Sequence, residues 1–169
     1  MTITIEESGM QFGPFAADDL FAHEQVLKNV QFGDHVKMVE FIVRLNTGKM
    51  KAVAFVEARS SIPRKNDEFL EEIRHKINHS LIVWFASVIG RHPTVSTALP
   101  SHLRQLEHLK LALKCYLVIP GVPDEHLAPF TDKFRQIMAS EINLWPIKPE
   151  HIRVLNRVRA IKAGLLVPT

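Results

Sequence analysis

Three charged side chains stand where a core strand would not place them. Glu40 and Glu57 each interrupt an apolar run, Val39–Leu45 and Lys51–Ala58, and Arg59 follows Glu57 at a spacing of two. A carboxylate or guanidinium inside such a run costs free energy unless something compensates it. Asn46, Thr47, Gly48 and Lys49 between the runs are turn chemistry, because Asn and Gly tolerate positive φ. The stretch from Lys37 to Ser61 therefore predicts two strands in a tight hairpin. With a Thr47-Gly48 loop, Glu40 lies across from Phe55 and diagonal to Glu57. With a Gly48-Lys49 loop, it lies directly opposite Glu57. Either register puts both carboxylates, and Arg59, on one face of the sheet. Like charges at cross-strand distance repel, so the pair implies a positive partner: a divalent cation, Arg59, or another base brought in by the fold.

The elements around this hairpin must position it. His35–Leu45 and Lys51–Ser60 are apolar on both faces, as in strands covered on two sides. A helix from Asn66 or Asp67 to Ile89 follows, with Phe69, Leu70, Ile73, Ile77, Leu81, Trp84, Phe85 and Val88 as its apolar stripe and Gly90 at its end. Either Asn66 or Asp67 is the expected cap. Residues 92–103 predict a loop broken by Pro93 and Pro100, and Leu109–Ile119 a buried strand. The helix between hairpin and strand predicts a parallel or mixed crossover. A second helix is expected from Asp124 to Asn143, with Pro129 awkward unless the helix begins there or just before it. A short strand, His151–Leu155, and a final helical turn close the chain. Residues 1–17 predict an irregular lead-in, and Asp18–Val26 a short strand or a helical turn, with the strand favoured. The whole predicts an α/β fold of one domain, residues 1–169, with a mixed central sheet and flanking helices.

Other residues carry two readings each. Glu24 is either a solvated edge residue or a third acid aimed at the same site. His75 and His79, four apart, suit a metal pair, but no third ligand accompanies them, and Glu71, Glu72 and Asn78 make a solvated face of that side. Arg153, Arg157, Arg159 and Lys162 cluster with Lys148 in the tail against Glu150 alone, either a solvated face or a nucleic-acid-binding patch.

Composition bounds the class. Hydrophobic residues at 46% and charged residues at 23% are ordinary for a globular chain. A net charge of +3 permits a polyanionic partner without demanding one. The single cysteine, Cys115, excludes a disulfide framework and suits a reducing, cytoplasmic setting. No signal segment is visible, and no apolar run approaches the roughly 18 residues a membrane helix needs. No phosphate loop, zinc spacing or nucleophile elbow is present.

The order of strand with an acid, hairpin, strand with Glu-x-basic, long helix and strand resembles the PD-(D/E)xK nuclease superfamily, the restriction-endonuclease-like fold. Glu40 and Glu57-Ala58-Arg59 carry the resemblance, within a nuclease-like core of residues 36–119. The phrase from Val39 to Pro63 is also similar to uncharacterised bacterial proteins whose strands end in Glu-Ala-Lys-Ser-Ser-Pro. The resemblance implies a three-layer core and a Mg²⁺ or Mn²⁺ ion held by Glu40 and Glu57, with Glu24 in the additional acidic place. It implies a nuclease acting on DNA or RNA, and a homodimer where both strands are cut. Two departures stand out: the usual Asp is Glu40, and the usual Lys is Arg59. Arginine binds phosphate but stays protonated at neutral pH, so it is no general base. Lys76, on the flank of the following helix, is placed to supply the lysine function, or else snorkels at the surface. A decayed module that binds nucleic acid or a protein partner, and a purely structural ion network, are the competing readings.

Overall fold

The computed structural model describes residues 1–168 apart from 28, 29 and 31, and at 24 and 25 the backbone alone. The chain opens on a hairpin, β1 (Thr2–Glu7) and β2 (Met10–Ala16), where an irregular lead-in was expected. Its turn, Ser8-Gly9, has φ of 50° and 73°. That positive-φ pair suits the twist of a two-residue hairpin loop. The apolar residues Ile5, Met10, Phe12 and Phe15 point to one side of the hairpin and are buried. The glycines and the proline that read as breakers therefore sit in an amphipathic ribbon.

The segment 18–26, expected as a short strand or a helical turn with the strand favoured, holds a little of each. Only Leu20–Phe21 (β3) is extended, after a 3₁₀ turn, and His23–Val26 is a helical turn, α1. β4 (Phe41–Thr47) and β5 (Met50–Ala58) form the predicted hairpin. Its register pairs Thr47 with Met50 and Phe41 with Val56, so the loop is Gly48-Lys49. β4 begins at Phe41 rather than His35, because the segment 36–40 leaves the sheet to pack on α2 (Asn66–Val88). α2 ends as predicted, with Gly90 at φ 78°, but neither Asn66 nor Asp67 caps its start. The expected loop at 92–103 contains α3 (Pro93–Ala98), which has Pro93 in its first turn, where a missing N–H is harmless.

β6 (Ala112–Val118) runs parallel to β5, which is the predicted crossover. The second helix divides into α4 (Asp124–Ile137) and α5 (Ala139–Leu144). Pro129 lies inside α4, which starts five residues earlier than a proline-led helix would. β7 (Ile152–Leu155) extends the sheet parallel to β6, and α6 (Arg157–Lys162) is the closing turn. The five-stranded sheet has the order β3-β4-β5-β6-β7.

Alternation of side chains divides the core into two layers. Ile42, Val53, Phe55, Cys115 and Leu117 face α2 and α4, against Phe69, Ile73, Ile77, Trp84 and Phe134. Phe41, Val43, Ala54, Val56 and Val118 face the other way, onto Phe12 and Phe15 of the hairpin and Ala160 and Leu165 near the C-terminus. The architecture is a three-layer α/β core in which a β-ribbon supplies much of the second cover. The exposed edge at β7 is protected by α4, where Thr131 accepts from Val154 N–H and Arg135 donates to the Ile152 carbonyl. Among the described residues, no helix is long and apolar enough to cross a membrane.

Candidate active site

Glu57 is the next-to-last residue of β5, on the face that carries Val53 and Phe55 toward α2. It has no exposed surface. Arg59 follows past the end of the strand, held in line by its N–H on the Val118 carbonyl. Across the sheet, Glu40 occupies the bend just before β4, one step beyond the Phe41–Val56 pair. The register thus brings Glu40 opposite Glu57, as the Gly48-Lys49 loop requires.

Two bonds lash the segment before β4 to the helix. Ser80 Oγ accepts from the Val39 N–H at 2.9 Å while donating to the Lys76 carbonyl one turn back. His79 Nδ1 lies 3.3 Å from the Lys37 nitrogen and 3.2 Å from its oxygen. These contacts hold Glu40 beside Lys76. His79 therefore works as a backbone tie, and its ring stands 6.3 Å from that of His75, centre to centre.

Lys76 reaches into the space between the acids. Its Nζ donates to Glu57 Oε1 at 2.7 Å and lies 3.9 Å from Glu40 Oε1. It is a core-facing cation, with side-chain exposure of 14%. The same Glu57 Oε1 accepts from Arg59 Nε at 2.9 Å. Arg59 Nη2 continues to Glu72 Oε1, also at 2.9 Å, and its guanidinium lies 5.6 Å from the Phe69 ring centre. Arg59 bridges Glu57 to Glu72 rather than to Glu40. Among the described residues, three carboxylates and two cations form one connected network.

The network leaves one atom unserved. Glu57 Oε2 is buried, and among the described residues no group donates to it. Burial raises the pKa of Glu57, and Lys76 and Arg59 offset only part of that rise. Both cations meet the same oxygen, which is the physical reason: the far oxygen loses water and gains nothing. Glu72, half-exposed, moves the other way. Burial pulls its carboxyl upward, but the Arg59 hydrogen bond and charge outweigh that and lower it.

An undonated carboxylate oxygen on a residue that faces a second acid across the hairpin suits a hard cation. Mg²⁺ is ordinarily held by one or two carboxylates and completed by water and phosphate oxygens, which is the donor set that Glu57 and Glu40 could offer. Among the described residues, no group of three or more His, Cys, Asp or Glu side chains is placed to hold a metal ion. The side chain of Glu24, the expected third acid, lies outside the described residues, and its backbone is in α1. The acid that the sequence reading missed is Glu72. It was visible only as a charged residue on the first turns of a helix, and the 3.6-residue period, which places it one turn before Lys76, was its only signal.

Beyond the network lies a groove of about 770 Å³, whose walls include Lys37, Glu72, His75 and His79. The tail residues divide. Arg153 on β7 and Arg159 on α6 line a separate cleft of about 300 Å³ with Arg135, Asp124 and Asp132. Arg159 there meets Asp124 at 3.5 Å. Arg157 and Lys162 share α6 with Arg159 but are not among the residues lining the cleft. Cys115 is no nucleophile: burial, with the nearby Glu141, pushes its thiol up to about 12. Compared with known proteins, the chain matches no family model, no curated protein and no solved structure.

Proposed function

We propose that this chain is a metal-dependent, nuclease-like phosphodiesterase acting on DNA or RNA. The observation that carries the reading is the bare, buried Oε2 of Glu57, an acid whose other oxygen shares Lys76 with Glu40. Glu57 and Glu40 would hold the divalent cation. When bound, such a cation polarises a scissile phosphate and lowers the pKa of a coordinated water. The protein's own groups do the rest. Lys76 donates to Glu57 and orients the attacking water from the helix side, taking the place that the motif lysine leaves to Arg59. Arg59 binds a phosphate oxygen with the donors its carboxylate partners do not use. The buried wall of Phe55, Phe69 and Ile73 keeps bulk water from the back of the site.

Calorimetric titration with Mn²⁺ and Mg²⁺ tests this directly. Binding by the native chain, lost in a folded Glu57→Gln variant, is the expected result, followed by cleavage of an oligonucleotide in the native chain alone. If neither ion binds, with or without a cleavage-resistant oligonucleotide present, the proposal is wrong. A second reading, a nuclease-fold module without catalysis that binds nucleic acid or a protein partner, draws on one observation: Lys76 and Arg59 already share the negative charge of Glu57. It predicts oligonucleotide or partner binding that is indifferent to Mn²⁺ and Mg²⁺.

The cleft at Arg153 supports a backbone contact. Arg153 is exposed and has Lys114 nearby as a like charge. Arg153→Ala is expected to weaken binding similarly for all sequences and to reduce the salt slope of log affinity by about one. An unchanged slope removes Arg153 from the interface.

A further inference from the structure

We infer that Glu72 is a positioning residue, which aims Arg59 as a receptor for a phosphate oxygen of the bound strand. The inference rests on the phosphodiesterase reading and names the residue that sets its phosphate contact.

Arg59 lies beyond the last ladder pair of β5, where no strand neighbour fixes its side chain. A long, flexible arginine at such a place samples many rotamers unless its head is held. Here it is held on three counts. Nε donates to Glu57 Oε1, Nη2 donates to Glu72 Oε1, and one face of the guanidinium lies over the Phe69 ring. Two carboxylates from two different elements grip one edge of a planar group, and an aromatic ring sets its plane. That leaves the head little freedom to rotate. A guanidinium carries five N–H donors. Two are spent on Glu57 and Glu72. No acceptor among the described residues takes the remaining three, on Nη1 and Nη2, which form the fork that matches two oxygens of a phosphate.

Glu72 is the adjustable part of this grip. Glu57 is fully buried at the sheet, whereas Glu72 is half-exposed on α2, one turn before Lys76. One helical turn therefore registers both cations of the site, Lys76 directly and Arg59 through Glu72. The lowered carboxyl of Glu72 agrees with a firm bond to Arg59. The opposite account is that Glu72 repels the phosphate and competes for Arg59. The two accounts differ in sign.

The test is fluorescence anisotropy with a labelled, cleavage-resistant oligonucleotide in Mn²⁺, together with urea midpoints for every variant. Glu72→Ala is expected to weaken binding about tenfold, the size of a lost preorganised charged contact. Its urea midpoint should hardly move, because the residue is half-exposed. Glu72→Gln keeps an acceptor at the same reach and should restore binding to within about threefold of native. Arg59→Lys should weaken binding as Glu72→Ala does, and the double variant should be no weaker than Arg59→Lys alone. Tighter or unchanged binding by Glu72→Ala overturns the inference and leaves the phosphodiesterase reading standing. So does a Glu72→Gln variant as weak as Glu72→Ala. Failure of the native chain to bind the oligonucleotide overturns both.

Discussion

Glu57→Ala loses about 3 kcal/mol of stability, the lower end of what breaking a buried ion pair costs. The lower end applies because neither cation is stranded completely: Arg59 retains Glu72 and Lys76 retains Glu40. Both also keep some contact with water, which softens the penalty. Glu57→Gln behaves differently, since it keeps an acceptor for Lys76 and Arg59 and gives the buried far position an uncharged amide. The two proteins separate by pH. Burial raises the carboxyl of Glu57 in the folded chain above its ordinary value of 4.5. The folded state therefore holds that proton more tightly than the unfolded state does. The contribution to stability is full below the unfolded carboxylate range and is lost as pH rises through the folded value. Glu72 runs the other way, its contribution being present at neutral pH and lost on acidification. Urea midpoints of the native chain and Glu57→Gln, measured in chelator from pH 4 to pH 8, isolate the Glu57 part because Glu72 is common to both. The native chain should lose ground to Glu57→Gln as the pH rises. A flat difference, or one that favours the native chain at high pH, would mean that Lys76 and Arg59 fully compensate the burial of Glu57.

The same residues explain how far the sequence could be read. The hairpin register was legible up to two options, because period-two alternation and an Asn-Thr-Gly-Lys turn constrain it to a one-residue choice of loop. The choice fell to the longer pairing, with Thr47 against Met50. The mixed sheet followed from a long amphipathic helix between two strands. The N-terminal ribbon was not legible, because its alternation is broken by Gly9, Gly13 and Pro14, all of which read as punctuation. Its buried faces make sense only against Phe41, 26 positions after Phe15. At the site, the placement of Lys76 on the stripe's flank pointed toward the acids because i, i+4 neighbours on a helix share a side. What spacing could not show was which acids Arg59 would meet. The bend before β4, fixed by Ser80 and His79 some forty residues away, sets Glu40 beside Lys76, while Arg59 turns to Glu72.

Lys76→Met should separate cation binding from turnover. The ammonium of Lys76 sits 2.7 Å from the Glu57 oxygen next to the one that a cation would use. Its charge therefore opposes a dication at the site. Even discounted severalfold from about 4 kcal/mol per pair of unit charges near 4 Å at an effective dielectric of about 20, that repulsion exceeds the roughly 1.4 kcal/mol that equals a factor of ten in affinity. Methionine keeps most of the packing of the lysine stem against the core while removing the charge. Affinity for Mn²⁺, measured by calorimetry at pH 8, should rise by about tenfold or more. Cleavage under saturating Mn²⁺ should fall by about 10²-fold, the size of a lost positioning contact on the attacking water. The opposed signs are what make the variant informative. An inert scaffold network would show no cation binding to strengthen. A lysine that only neutralises the acids would raise affinity without the loss of rate. A fall in affinity together with rate would place Lys76 in the folding of the site rather than in its chemistry, since its contact with Glu57 would then be what keeps the carboxylate available to the ion.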